Sequence, residues 1–357
     1  MSQYIGIDLH KSKSFVTRLT SRGRVLEQVE LSHANDALRD DLTQLPADAR
    51  IAVEATGNWM WLYELIEERH PDLILAHPLK TKAIASARIK TDKIDATTLA
   101  HLLRADLGPA AYIPPRDVRD TREMLRYRAS LVRLRTQVKN KIAAIISKTG
   151  LQTPTRTPCG VKSRRFLATV PVRPCYRLGL DGYLRTLEQL TTEIRQVSKT
   201  IETQAAAEPQ ARLLQTMPGI GAYSALLILS EIGDIQRFPD SRHLCSYAGL
   251  VPSVHASGGK TRLGQLTKQG SSWLRWMLVE LSIHAINGAP QFRSLYYRVA
   301  KRHGANTGRV AVARAMLKTI YAMLTKQETF RPMAQGTTGQ RQGSWPASLQ
   351  AERGPET

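Results

Sequence analysis

The sequence predicts an α/β domain at its front and a basic, mainly helical remainder. Three observations carry this. Over residues 1–115 the apolar residues fall in short runs that switch between strand and helix spacing. From Arg119 onward they step by three or four over long stretches. The positive charge gathers almost wholly outside the front segment.

Tyr4-Ile5-Gly6-Ile7-Asp8 reads as a short buried strand, and Ser14–Thr20 and Arg24–Leu31 as two more joined by a turn at Ser21-Arg22-Gly23. Asp36–Leu45 has helical composition and stops at Pro46. Arg50–Thr56 is a strand broken by Gly57-Asn58, Trp59–Arg69 an amphipathic helix, Leu73–His77 a strand, and Thr81–Arg104 mostly helix. An antiparallel hairpin set followed by βα units is the element order of the ribonuclease H-like fold.

Beyond it, Met124, Tyr127, Leu131, Leu134, Val138, Ile142 and Ile145 mark one apolar seam, and Leu180, Leu184, Leu187, Leu190, Ile194, Val197 and Ile201 a second. Between them, residues 149–177 carry Pro154, Pro158, Pro171 and Pro174 and are expected to form a loop or tip. The pair reads as an antiparallel coiled-coil hairpin or dimerisation arm, or as an ordinary two-helix piece of one globular core. Residues 210–330 look mainly helical with glycine-rich breaks, and the stretch from Met333 has the composition of a disordered tail. The expected domains are therefore 1–115, 116–207, 208–331 and a tail at 332–357.

The chain has 357 residues, 42% of them hydrophobic, which is enough for several cores. Lys and Arg number 51 against 30 Asp and Glu, a net charge of +21. Residues 1–115 carry −1, 116–148 carry +7, 149–254 carry +4 and 255–331 carry +11. Blocks this lopsided point to a polyanionic partner. Three scattered cysteines (Cys159, Cys175, Cys245) suit neither a disulfide framework nor a cysteine zinc site. No signal peptide is expected, and the longest apolar run, Ala225–Leu229, is far short of a membrane span, so no membrane association and a cytoplasmic location are expected.

Four carboxylates stand out in the front domain. Asp8 and Glu54 each end an apolar strand, and Asp92 and Asp95, three apart, share one helix face. In ribonuclease H-like topology these four converge. Carboxylates so placed repel unless a cation neutralises them, and oxygen ligands select Mg²⁺ or Mn²⁺. Two such ions about 3.5–4 Å apart can hold the attacking and leaving oxygens of a phosphoryl displacement.

A second constellation is His255-Ala256-Ser257-Gly258-Gly259-Lys260-Thr261-Arg262, a serine in a glycine-rich basic loop. Small neighbours let a phosphate approach, and Lys260 and Arg262 could hold it. On residue chemistry alone most such Ser-Gly pairs are turns. Met217-Pro218-Gly219-Ile220-Gly221, entering the apolar helix Tyr223–Ile232, resembles the hairpin of helix-hairpin-helix modules, whose exposed amides bind backbone phosphate; a simple interhelix turn is the competing reading. Expected nucleic-acid contacts are Lys260, Arg262, Lys268, Gly219, Gly221, Arg126, Arg133 and Lys139.

Five motifs in order carry a family resemblance: Tyr4–Asp8, Val53-Glu54-Ala55-Thr56-Gly57, Lys90-Thr91-Asp92-Lys93-Ile94-Asp95-Ala96, Pro218-Gly219-Ile220-Gly221, and Tyr247-Ala248-Gly249-Leu250-Val251-Pro252 followed by Ser257-Gly258. Together they resemble the DEDD transposases of bacterial insertion sequences, the insertion sequence 110 family, over about residues 4–325. The resemblance implies a RuvC-like N-terminal domain, a coiled-coil middle and a C-terminal transposase domain. It implies catalytic acids at Asp8, Glu54, Asp92 and Asp95 binding Mg²⁺ (or Mn²⁺), and Ser257 as the nucleophile of a covalent phosphoserine intermediate. It further implies double-stranded donor and target DNA, a noncoding bridge RNA, a homodimer assembling to a homotetramer, and a bacterial, nucleoid-associated location. The rival readings are a RuvC-like junction resolvase or nuclease that needs no serine, an actin-like sugar kinase, and a non-catalytic nucleic-acid binder. The kinase would need further glycine-rich phosphate loops that the sequence does not offer.

Overall fold

The computed structural model describes residues 3–70, 73–85, 91–257 and 260–332, and side chains within these except at 255–257, 260, 261 and 263. The chain divides into two compact units, residues 1–114 and 115–357.

The first unit is one mixed sheet with helices on both faces. Strands β1 (Tyr4–Leu9), β2 (Lys13–Leu19) and β3 (Val25–Ser32) are followed by α1 (Ala37–Thr43), β4 (Arg50–Glu54), α2 (Trp59–Ile66), β5 (Ile74–Ala76), α3 (Pro78–Ile84) and α4 (Asp92–Arg104). The sheet order is β3-β2-β1-β4-β5. β2 lies antiparallel to β1 and β3, while β4 runs parallel to β1 and β5 to β4. Alternation along the strands sorts the side chains to two faces. Ile5, Ile7, Ile51 and Val53 pack with Leu38, Leu42, Leu62 and Ile66 of α1 and α2. Ala52 and Ala76 point the other way, against Leu99 and Leu103 of α4.

The single helix expected over Thr81–Arg104 is two. α3 opens at Pro78, where proline's fixed φ suits a first turn, and ends at Ile84. α4 opens only at Asp92, because Thr91 is extended and its hydroxyl accepts the Ile94 N–H. Lys90, quoted in the third motif, lies outside the described residues.

The second unit begins with α5 (Arg116–Thr149), α6 (Val161–Thr169) and α7 (Pro174–Ala207). The two 34-residue helices pack side by side. Along α7 the buried apolar positions are Leu180, Leu187, Ile194, Ile201 and Ala205. Along α5 they are Leu125, Leu131 and Ile142, whereas Tyr127 and Leu134 are about half exposed (48% and 47%). Tyr127 and Leu134 lie at the edge of the face of α5 that α7 and α9 cover, so the expected seam is set off from the buried one at those two residues. The proline-rich tip is not all loop: α6 lies within it, its Leu167 packed with Ile142, Leu180 and Leu187, and Pro174 is the first residue of α7 rather than a breaker.

Then come α8 (Pro209–Leu214), α9 (Ala222–Ile232), a short 3-10 turn at Ile235–Arg237, α10 (Ser241–Tyr247), β6 (Pro252–Ser257), β7 (Lys260–Leu266), α11 (Ser272–Gly288), α12 (Pro290–His303) and α13 (Ala305–Lys326). Leu226, Ile228, Leu278, Leu281, Met316 and Ile320 form their shared core, which also takes in Leu125, Ile201 and Ala205 from α5 and α7. The glycine-rich serine loop is a strand pair instead: β6 and β7 form an antiparallel hairpin with Ser257 opposite Lys260 and His255 opposite Arg262. Gly258 and Gly259, like the tail expected from Met333, lie outside the described residues. Among the described residues no helix is long and apolar enough to cross a membrane.

Candidate active site

The site on the first unit is built from strand alternation. Gly6 and Asp8 share the face of β1 that α4 covers, because a Cβ on Gly6 would stand 2.0 Å from the Ala96 carbonyl oxygen. Ala52 pairs with Gly6 across the parallel β1–β4 ladder, so Glu54, two residues on, ends β4 on that same face. Asp8 and Glu54 thus stand at the carboxyl ends of neighbouring parallel strands. α4 crosses this face with Asp92 and Asp95 in its first turn, where the helix dipole favours negative charge.

Asp8 is buried (6% exposed) and Asp92 half exposed. His10 joins them: its Nε2 lies 3.3 Å from Asp8 Oδ2 and 3.3 Å from Asp92 Oδ1. Lys13 Nζ approaches Asp92 Oδ2 at 3.8 Å and Glu30 at 2.7 Å. Burial raises the Asp8 carboxyl above its ordinary value; the His10 charge opposes this, and the charges of Asp92 and Asp95 add to it. Asp95 is therefore close enough to be felt by Asp8.

Asp8, His10 and Asp92 offer ligand atoms that all lie within 4.8 Å of one another. Two carboxylates and an imidazole suit a hard or borderline divalent cation. Of the four expected acids, the structure gathers Asp8 and Asp92 in this group, with Asp95 beside it and Glu54 at the adjacent strand end. The sequence reading missed His10. Its signal was position: two residues past Asp8, it follows the same alternation off the end of β1.

The residues around the acids hold them in place. Asn58 Nδ2 donates to the His10 carbonyl at 2.7 Å, and Thr56 Oγ1 donates to Asn58 Oδ1 at 3.0 Å. The Glu54-Ala-Thr-Gly-Asn58 stretch thereby ties the end of β4 to the end of β1.

In the second unit, Ser257 ends β6. The side chains of Ser257 and Lys260 lie outside those described. Arg262, Lys268, Arg133 and Lys139 are exposed. Arg126 is engaged internally: its guanidinium meets Glu123 at 3.1 Å and the buried Glu231 at 3.4 Å. Gly219 has φ +91, and a Cβ there would lie 2.5 Å from His284 Cβ, so its glycine is required by helix packing. Gly221 caps α9 in open space, its N–H donating to Ser224 Oγ at 2.9 Å.

Comparison with known proteins decides the family. Residues 5–150 match the DEDD transposase family of the insertion sequence 110 type, and residues 211–297 match the family described as "Transposase IS116/IS110/IS902 family". The "Transposase for insertion sequence element IS1111A" of Coxiella burnetii is 31% identical over 258 residues, 68% of either chain. The chain belongs to the IS116/IS110/IS902 family of transposases. It is similar over nearly its whole length to the "Probable family 20 transposase" of Pseudomonas aeruginosa, at 27% identity over 92% of this chain and 98% of that one. A "Pilin gene-inverting protein" of Moraxella bovis is 26% identical over 78% of this chain and 81% of its own. As a transposase the chain is an enzyme of DNA strand cleavage and transfer. The DEDD domain carries the ribonuclease H-like α/β fold, and its chemistry depends on a divalent metal that the Asp8–His10–Asp92 donor set fits.

Proposed function

We propose that this transposase moves its own insertion sequence by site-specific recombination through a covalent phosphoserine intermediate. Asp8, Glu54, Asp92 and Asp95 would hold Mg²⁺ or Mn²⁺, with His10 beside them. A bound ion there lowers the charge on a scissile phosphate and polarises its oxygens. Ser257 is the nucleophile. Its Oγ bonds to the phosphorus while the bond from phosphorus to the leaving deoxyribose oxygen breaks, and the serine proton ends on that hydroxyl. The hydroxyl of another strand then attacks the phosphoserine, restoring Ser257 and joining the new strand. The phosphodiester energy is conserved, so no ATP is consumed.

The observation that carries the metal side of this reading is the grouping of Asp8, His10 and Asp92. The gene-inverting relative supports the recombinase side, since inversion is strand exchange without net loss. The charge of +21, concentrated beyond residue 115, supports large nucleic-acid partners: two DNA duplexes and an element-encoded bridge RNA. In this reading 116–207 is a coiled-coil hairpin used in assembling dimers into tetramers, 208–331 is the transposase domain, and Lys260, Arg262, Lys268, Arg133, Lys139 and the Gly221 turn meet phosphate. The work takes place at the nucleoid.

The test is Ser257→Ala with end-labelled element DNA, the RNA and Mn²⁺. The wild-type chain should give a protein–DNA adduct resistant to denaturation. The variant should bind DNA normally and give none. An adduct formed by Ser257→Ala would overturn Ser257 as the nucleophile, and free cleaved ends in place of the adduct would favour a resolvase.

A further inference from the structure

We propose that a cavity in the second unit is a stacking site for an unpaired base of a DNA strand. The cavity, of about 430 Å³, lies between α5, α9 and α11, and its functional wall is made by Arg128, Arg133, Tyr223, Ser272, Trp273 and Trp276. The two tryptophans stand edge to face, ring centres 5.7 Å apart. Trp273 is half-buried against the core, whereas Trp276 is 43% exposed, off the α11 face made by Leu274, Met277, Leu278 and Leu281. Beyond its edge contact with Trp273, the Trp276 ring is left open beside the cavity as a platform for stacking.

The floor opposite is fixed in advance. The Arg128 guanidinium lies over the Tyr223 ring at 4.5 Å, and its Nε donates to Ser198 Oγ at 2.8 Å. The Tyr223 hydroxyl donates to the Leu125 carbonyl at 3.3 Å. Arg128 and Tyr223 held this way form a preorganised wall, so contact with them loses little side-chain freedom.

Charge identifies the occupant. Among the described residues, no carboxylate lines the cavity. Arg133 on its rim is exposed, and α5 carries ten basic residues against three acidic ones. No acid occurs anywhere between Glu123 and Asp181. Aromatic faces interleaved with guanidinium groups suit a base with its flanking phosphates. A neutral apolar ligand would leave the cations unanswered. A strand whose bases are still paired cannot offer a face to stack. Strand transfer supplies unpaired bases at the point of exchange, so the occupant is the DNA on which the enzyme acts.

The experiment measures binding of the full chain to a fluorescein-labelled twelve-nucleotide oligothymidylate, to the same strand as a duplex, to its copy with abasic central positions, and to oligouridylate. Trp276→Ala should weaken binding to the single strand about tenfold or more while changing duplex binding less than about twofold. Trp276→Phe should restore most of the loss. The abasic strand should bind the wild-type chain as weakly as the intact strand binds Trp276→Ala, and the variant should lose nothing further on it. Equal losses on single strand and duplex, an unchanged single-strand affinity, or indifference to the abasic sites would overturn the proposal. So would tighter binding of oligouridylate than of oligothymidylate, which would give the cavity to RNA.

Discussion

Gly6 of β1 and Ala96 of α4 meet backbone to backbone: a Cβ on Gly6 would stand 2.0 Å from the Ala96 carbonyl oxygen and 2.6 Å from the Ala100 nitrogen. The glycine lets the helix that carries Asp92 and Asp95 lie flat on the strand that carries Asp8. Gly6→Ala should therefore push α4 outward. The expected loss is about 1–3 kcal/mol of stability in urea unfolding, with Mn²⁺ affinity falling at least about tenfold by calorimetry. Normal metal affinity in the variant would show that α4 does not set the site.

Asp8→Asn separates the cost of the site from its use. Burial raises the Asp8 pKa in the folded chain. A raised carboxyl contributes its stability below the unfolded value and loses it as pH rises through the folded one, so at neutral pH the ionised Asp8 works against the fold. The metal-free variant should be as stable as the wild-type chain or more so at pH 7. Mn²⁺ at about 100 times its Kd should add about 2.7 kcal/mol to the wild-type chain and almost nothing to the variant. Thermal unfolding with and without the ion measures both.

Asp240 predicts the acid limb of the second unit. It caps α10, and the His243 N–H at 2.9 Å and the His243 ring, with the Arg242 N–H at 2.7 Å adding less, hold its carboxyl down to about 2. A depressed carboxyl gives stability above its unfolded value of 3.8, lost as pH falls towards about 2. Asp240→Asn keeps a capping oxygen but not the charge, so its melting temperature should fall less than the wild type's across that window.

How much of this was legible in the sequence depends on what each residue answers to. Strand order and the strand-end acids could be read because alternation and burial are local signals: Asp8 ends an apolar run, and Asp92 follows a capping threonine. His10 was missed because its role comes from a carboxylate 82 positions away in the chain, Asp92. The β6–β7 hairpin was missed because its strands, Pro252–Ser257 and Lys260–Leu266, hold few apolar residues and so carry no clear alternating signal. Tyr127 and Leu134 were misplaced because the faces of α5 are chosen by α7 and α9, not by its own period. Gly219 reads as a phosphate-binding hairpin or a simple interhelix turn, and its packing against His284 of α11, 65 positions on, is what the local sequence could not choose by.

Arg126 gives the last prediction, because its place in the fold differs from that of a surface phosphate contact. Glu231 of α9 is 5% exposed; it accepts from Ser271 Oγ at 2.8 Å and faces Arg126 Nη2 at 3.4 Å and Arg122 Nε at 3.8 Å. The Arg126 guanidinium also lies 5.9 Å from the Trp273 ring centre. α5, α9 and the start of α11 are thus joined through one buried carboxylate. Removing it leaves arginines facing a low-dielectric interior, a loss of about 3–5 kcal/mol for a fully buried pair. Arg122 and Arg126 keep some solvent, at 14% and 36% exposure, which brings the expectation for Glu231→Ala to about 2–3 kcal/mol. Glu231→Gln retains the acceptor for Ser271 and should lose less. Arg126→Ala should lower the urea midpoint, whereas Lys139→Ala, exposed on the same helix, should leave it within about 0.5 kcal/mol of the wild type. An Arg126→Ala chain as stable as wild type but weaker on DNA would return Arg126 to the phosphate contacts.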